Sequence, residues 1–524
     1  MEEIGIRELQ QKMTSGEVTA LGLTQGYLER IEALDRQGPA LHAVLETNPD
    51  ALAIAEGLDK ERREGKTRGP LHGVPILIKE NIDTHDRMLT TAGSAALEGS
   101  IPTRDAYVAR RLRAAGAVIL GKANLSEWAN FRSTRSVSGW SSRGGLTRNP
   151  YALDRTACGS STGSAVAVAA DLCAAAVGTE TDGSIICPSQ TNGIVGLKPT
   201  LGLLSRSGII PIAHSQDTPG PMARTVEDLA ILLGPLTGLD PRDPATRASE
   251  KRRRRDYTRF LDPKGLQGAR LGVARNMLGT DTRLVQILDA GLDVMRRLGA
   301  VIIDPADVPN FDSFGPTEVE VLLFEFKADI NRYLAARGPE ARVHSLEDVI
   351  RFNEDHRRRV MPYFGQERME QAQEKGPLTS KKYRRALSRN RRLTRREGLD
   401  AVLRKHRLDA IVAISAGPAW TIDMVNGDAR SWDMESTSPP AVAGYPHITV
   451  PAGFVAGLPI GLSFIAKAWQ EPVLIRLAYA FEQASRIRRP PRFLLTAETD
   501  GDETSPASKA LPAVDSPVDT PIAA

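Results

Sequence analysis

An α/β fold with a largely buried sheet is the class this sequence predicts, and three observations carry it. Short apolar runs bounded by Gly, Pro or polar residues read as strands, among them VPILI (Val74 to Ile78), AVIL (Ala117 to Leu120) and GIVGL (Gly193 to Leu197). Stretches of helical periodicity separate such runs over most of the length. A hydrophobic share of 41% and a charged share of 25% over 524 residues are those of a globular protein able to bury one very large core or several ordinary ones.

Taken in order, helical patterns fill most of the first 65 residues. MEEIGIRELQQKM reads as an amphipathic helix, and Thr19 to Asp35 places leucines at helical spacing. The apolar run from Ala165 to Val177 is expected to be a buried helix; it is shorter than the roughly 20 residues of a membrane span and carries Asp171. Around Leu271 comes a strand–helix–strand pattern: RLGVAR, the helix Thr282 to Leu298, then AVIID. Late strands are Leu408 to Ile414, HITVPAG and IGLSFIA, and a closing helix runs from Glu471 to Arg486. Phe314 to His406 reads as helical and strongly charged, a helical insertion or cap on the sheet. Residues 1–492 are expected to form a single domain, and the Pro/Ser/acidic composition of 493–524 to form a disordered tail.

Several function classes are excluded or disfavoured at this level. A formal charge of +4 is small for this length and does not ask for a polyanionic partner. The basic runs Lys251 to Arg254 and Ser380 to Glu397 sit among acidic residues and read as solvated helical faces rather than a nucleic-acid stripe. Three cysteines, Cys158, Cys173 and Cys187, suggest neither a disulfide framework nor a zinc site, which fits a reducing compartment. The N-terminus lacks a basic segment followed by an apolar one, so a cytoplasmic protein without a secretory signal is expected.

The chemistry concentrates between Cys158 and Ser189, CGSSTGSAVAVAADLCAAAVGTETDGSIICPS. In TETDGSI, a polar turn can aim the N–H groups of Thr181, Asp182, Gly183 and Ser184 into one concavity, a place for an oxyanion. In GSSTGS, a glycine turn opens an apolar run, as at an anion-binding helix start. The same stretch matches G-x-S-x-G with Ser161 at its centre, although TAC is a poor strand to precede a nucleophile elbow. An esterase built on Ser161 needs a histidine, and His214 and His447 are candidates. Lys79 ends the apolar run VPILI; if buried, desolvation leaves part of its amine neutral and able to act as a base.

Together these pieces resemble the amidase signature family. The lysine motif GxPxxxKD appears as GVPILIKEN, with Glu80 in place of the usual aspartate. The GGSSGGS motif appears as CGSSTGS, and the T-x-x-G-S-I turn as TETDGSI. Cys158 and Thr162 replace glycines of the wider family. LGKANLSEWANFR, SGWSSRGG, HSQDTPGPMAR, FEFKADINRYL and AVAGYPHITVPAG make the chain most similar to bacterial peptide amidases, from Ile6 to Arg492.

The resemblance implies a large mixed central sheet covered on both faces by helices. It implies amide hydrolysis with Ser184 as nucleophile, Ser160 as proton bridge and Lys79 as base, without cofactor or metal. The N–H groups of Thr181 to Ser184 would form the oxyanion hole. Ser161 and Gly159 would support the relay, the Gly159–Ser160 peptide bond being cis, and His72 would serve packing. The expected partner is a small-molecule or peptide amide, with no nucleic acid and no membrane. C-terminal peptide carboxamides are the preferred reading, against aryl or fatty amides and against the amidase-like subunit of a tRNA-dependent amidotransferase. Exported relatives leave a periplasmic location open. The substrate pocket is expected from parts of Phe314 to His406 and the stretch around Trp420 and Trp432.

Overall fold

The computed structural model describes residues 3–428 and 436–498. Among them, eleven strands form one mixed sheet. In chain order the strands are β1 (Val44–Thr47), β2 (Pro75–Lys79), β3 (Val118–Ala123), β4 (Trp140–Ser141), β5 (Gly145–Leu146), β6 (Ala175–Glu180), β7 (Val195–Lys198), β8 (Thr218–Ala223), β9 (Arg270–Val273), β10 (Val301–Ile303), β11 (Ala410–Ile414), β12 (His447–Val455) and β13 (Leu458–Ile465). The sheet runs β1-β3-β2-β6-β8-β7-β12-β13-β11-β9-β10, while β4 and β5 make a separate ribbon. Strand β2 lies parallel to both β3 and β6, whereas β6 runs antiparallel to β8 and β12 antiparallel to β13.

Every residue of β2, β3 and β6 is buried, as expected of strands covered on both faces. One covering layer includes the N-terminal helix Ile6–Ser15, which buries Ile6, Leu9 and Met13 at helical spacing. The helix Thr162–Ala169 is buried at every residue and packs against β2, β6 and β8. The helix Glu471–Ser485 closes the other half of the sheet against β12.

The run from Ala165 to Val177 is not one helix. The helix stops at Ala169, Asp171 takes a left-handed conformation (φ 55), and the chain re-emerges as β6. Alanine and valine satisfy either environment when both are fully buried, so periodicity alone could not separate the two. Strand β8, TPGPMA, also escaped the sequence reading, because its prolines argue against an interior strand.

Between residues 314 and 406 lie the helices Gly315–Ala335, Leu346–Asp355, Glu367–Gln373, Lys381–Arg391 and Asp400–Lys405. Leu323, Phe326 and Ile330 pack in one cluster with Leu125, Trp128 and Phe131, joining these helices to the loop after β3. On Lys381–Arg391 the buried residues are Tyr383, Ala386 and Asn390, leaving its cations to the outer face. Residues 493–498 lie against the body: Leu153 N–H donates to Leu494 C=O at 2.8 Å and Phe493 N–H to Pro150 C=O at 2.9 Å. The remainder of the expected tail, 499–524, and Trp432 lie outside the described residues. No helix among the described residues is long and apolar enough to cross a membrane.

Candidate active site

Strands β2 and β6 are parallel neighbours, so Lys79 and Thr179 come together at their carboxyl ends. Lys79 is fully buried. Its Nζ lies 2.7 Å from Ser160 Oγ, 3.0 Å from Ser161 Oγ, 3.0 Å from Thr179 Oγ1 and 3.2 Å from the Thr179 carbonyl. No carboxylate is hydrogen-bonded to it among the described residues. Burial drives its pKa down to about 7, outweighing the opposing pull of Glu180 and Asp217. A lysine with that pKa is partly neutral near neutral pH and can take a proton.

Ser160 and Ser161 open the helix Thr162–Ala169, and both are fully buried. The Gly159–Ser160 peptide bond is cis. A Cβ at position 159 would stand 2.2 Å from Ser126 Oγ, so only glycine fits there. Ser161 Oγ donates to the Thr179 carbonyl at 2.9 Å and accepts from Thr179 N–H at 3.1 Å. Held on both sides by β6, and accepting from Lys79 as well, the Ser161 hydroxyl is placed to hold the lysine rather than to attack a substrate.

Ser184 sits on a different kind of turn. Strand β6 ends at Glu180, and Gly183 takes φ +77, a conformation that disfavours other residues. The buried Glu180 carboxylate folds the turn back by accepting from Ile185 N–H at 2.7 Å and Ile186 N–H at 3.0 Å. Among the described residues, the N–H groups of Thr181, Asp182, Gly183 and Ser184 have no protein acceptor. These are oriented donors of the kind that stabilise a developing oxyanion. Ser184 and Thr181 keep 8% exposure each, against 0% for Lys79 and Ser160.

The two serine turns meet through backbone: Ser161 N–H donates to the Ser184 carbonyl at 3.1 Å. No hydrogen bond joins Ser160 Oγ to Ser184 Oγ among the described residues. Such catalytic contacts often tighten only when substrate binds.

Several functional neighbours were missed in the sequence. Asp217 accepts from Thr181 Oγ1 at 2.7 Å and from Ile212 and Ala213 N–H at 2.9 and 2.8 Å, pinning the start of the Ser184 turn. Burial raises its pKa to about 6. Asn81 donates to Thr179 Oγ1 at 3.0 Å, orienting a partner of Lys79. Glu80, in the place of the usual aspartate, points away from the lysine. It accepts from Thr91 N–H and Oγ1 at 2.9 and 2.8 Å, from Gly93 N–H at 2.8 Å and from Arg143 at 2.6 Å, anchoring the next loop. A cavity of about 470 Å³ borders Thr179, Glu180 and Thr181 on one side and Asp329 and Tyr333 of the helix Gly315–Ala335 on the other.

The histidines stand elsewhere. His214 Nδ1 pairs with Asp329 at 2.6 Å, His447 Nε2 with Ser463 Oγ at 2.5 Å, and His72 Nε2 with the Leu58 carbonyl at 2.9 Å. None of the three is hydrogen-bonded to Ser161 or Ser184.

The cysteine expectation is corrected. Cys158 and Cys187 form a disulfide with Cα atoms 5.9 Å apart, and Cys173 is free and buried. Residues 29 apart in sequence meet because the two serine turns they flank lie side by side, Ser161 N–H bonded to the Ser184 carbonyl, which counting cysteines cannot reveal. Cysteine usage therefore no longer argues for a reducing compartment.

A family model described as Amidase matches residues 22–475. The structure resembles a peptide amidase from Stenotrophomonas maltophilia with a TM-score of 0.90 and 51% identity, covering 94% of this chain and 99% of that one. A probable amidase of Arabidopsis thaliana is 42% identical over 505 residues, 94% of this chain and 92% of the relative. A glutamyl-tRNA(Gln) amidotransferase subunit from Thermosynechococcus vestitus is 35% identical over 500 residues, 92% of this chain and 98% of the relative. By sequence and by fold, this chain belongs to the amidase signature family and is an amidase.

Proposed function

We propose that this amidase releases ammonia from the C-terminal carboxamides of peptides, with Ser184 as nucleophile, Ser160 as proton bridge and Lys79 as base. The observation that carries the reading is Lys79 itself. It is a fully buried lysine with a pKa brought down to about 7, bonded to a serine and, among the described residues, to no carboxylate. Burial alone does not single it out, since Lys122 and Lys198 are also buried, bonded to carbonyl or hydroxyl oxygens and brought down to a pKa of about 8. Lys79 differs in bonding Ser160, beside the Ser184 turn, where a base is needed.

Neutral Lys79 takes the Ser160 proton as Ser160 takes that of Ser184. Ser184 Oγ bonds to the amide carbon, and the carbonyl oxygen becomes an oxyanion facing the N–H groups of Thr181, Asp182, Gly183 and Ser184. Ser160 then returns a proton to the leaving nitrogen, the C–N bond breaks and ammonia departs. Without that proton the amide anion would be too poor a leaving group. Water attacks the acyl-enzyme by the same relay in reverse, releasing the acid and restoring Ser184. Thr181 at the head of the turn is held by Asp217, and Ser161 and Thr179 hold the amine in line.

Similarity to the Stenotrophomonas maltophilia peptide amidase supports peptides as the acyl side. The cavity beside Thr181, walled by the helix Gly315–Ala335, is large enough for part of a peptide. Ammonia release should be measured from an amino-acid amide, an N-protected dipeptide amide, an anilide and a fatty amide. The dipeptide amide should turn over fastest; turnover confined to the anilide or the fatty amide would overturn the peptide assignment.

A second reading rests on the amidotransferase relatives. A component of such an assembly would need partners. Ammonia release by the purified chain alone argues for the stand-alone enzyme, and a requirement for added subunits and charged tRNA would argue against it.

A further inference from the structure

The disulfide lies inside the candidate machinery rather than at its edge. Cys158 is two residues before Ser160, and Cys187 is three residues after Ser184, in the helix Ile186–Thr191. Both sulfurs are buried, in a cluster with Trp420. Trp420 donates through Nε1 to Asp428 at 3.3 Å, and Asp428 also accepts from Ser138 Oγ at 2.6 Å. A covalent link, packed under an aromatic ring, therefore spans the two serine turns.

That link matters because the other ties between the turns run through backbone groups, Asn149 Nδ2 among them donating to the Thr156 and Thr191 carbonyls at 3.0 Å each. Ser160 Oγ and Ser184 Oγ are not hydrogen-bonded to each other among the described residues. The turns share the Ser161–Ser184 backbone bond of 3.1 Å. Farther away, Thr191 Oγ1 and Asn192 Nδ2 donate to the Ala157 carbonyl at 3.0 and 2.9 Å. The bridge sits between these contacts. Cys158 also has a left-handed backbone, φ 54, immediately before the Gly159–Ser160 segment. A proton relay tolerates small displacements poorly: a misplacement of about 1 Å costs on the order of a hundredfold in rate.

We infer that the Cys158–Cys187 disulfide is a positioning clamp that sets Ser160 against Ser184, and that a dithiol reductant lowers turnover by opening it. In that step the S–S bond breaks as the dithiol closes to its own disulfide. Two electrons and two protons pass to the sulfurs of Cys158 and Cys187. The inference rests on the Lys79–Ser160–Ser184 reading, and the redox comparison begins from oxidised protein whose turnover Ser184→Ala abolishes. If oxidised protein fails that first check, the relay reading fails; the clamp is judged only on the reduced protein and a cysteine-free pair of positions.

The test compares three samples on one N-protected dipeptide amide: oxidised protein, protein treated with dithiothreitol, and the Cys158→Ala/Cys187→Ala double variant. Thiol titration tracks opening of the bridge, and where the buried bridge resists the reductant, the double variant carries the test. The clamp predicts kcat lower by on the order of a hundredfold with KM nearly unchanged, in both the reduced protein and the variant. Far-ultraviolet circular dichroism should stay native, the pH midpoint should stay put, reoxidation should restore the reduced protein, and the variant should ignore reductant. Unchanged kcat in the double variant would overturn the inference. So would loss of activity together with the folded signal, or a variant that still responds to dithiothreitol.

Discussion

The niche around Lys79 and the turn carrying Ser184 both lie at the carboxyl ends of the interior strands β2 and β6 but are built in opposite ways. In the niche, the lysine and both serines are fully buried, and the lysine amine and Ser161 hydroxyl are each held by several partners. In the turn, Ser184 keeps 8% exposure and four backbone donors stand without a protein acceptor among the described residues. The contrast separates two requirements of the chemistry. A proton acceptor is tuned by excluding water and fixing every neighbour, while an attacking group needs open space and donors already aimed at the charge to come.

Four substitutions probe that division, in falling order of effect. Ser184→Ala removes the attacking atom and should lower kcat by about a millionfold, with the circular dichroism spectrum unchanged. Lys79→Ala leaves the attacking hydroxyl and its donors in place and should cost about a thousandfold, the scale of a lost general base. Near-normal turnover in that variant would merge the two regions into one and remove the relay. Gly183→Ala forces a left-handed conformation (φ +77) on a residue that resists it and tilts the oxyanion donors; kcat should fall about a hundredfold with little change in KM. Asp217→Ala frees Thr181, and with it the Ile212 and Ala213 N–H groups, and should cost about tenfold, read from steady-state kinetics, because anchoring bonds are lost but no reacting group.

The two regions were unequally legible in the sequence. The serine turns were readable because glycine and serine at fixed positions carry backbone geometry, and Lys79 because it ends an apolar strand. The niche's remaining walls were not. Thr179 meets Lys79 and Asn81 only because β2 and β6 pair in parallel, and β6 lies hidden in an apolar run that reads as a helix. Asp217 stands just before β8, a strand whose prolines disguise it. The disulfide was invisible for the same reason: its partners adjoin only through the fold. At the level of class, the alternating strands and helices were enough to give an α/β sheet, whereas the order of eleven strands depended on pairings no local pattern encodes.

The central claim is that a dry, neutral Lys79 drives the attack, and the pH dependence of kcat/KM on a blocked dipeptide amide tests it most directly. Burial brings the lysine from 10.5 to about 7, and only its neutral form accepts a proton. Activity should therefore fall about tenfold per pH unit well below 7, bend near 7 and level off above it. A profile flat from pH 5 to 9, or one bending only near the ordinary lysine range of about 10, would contradict the account.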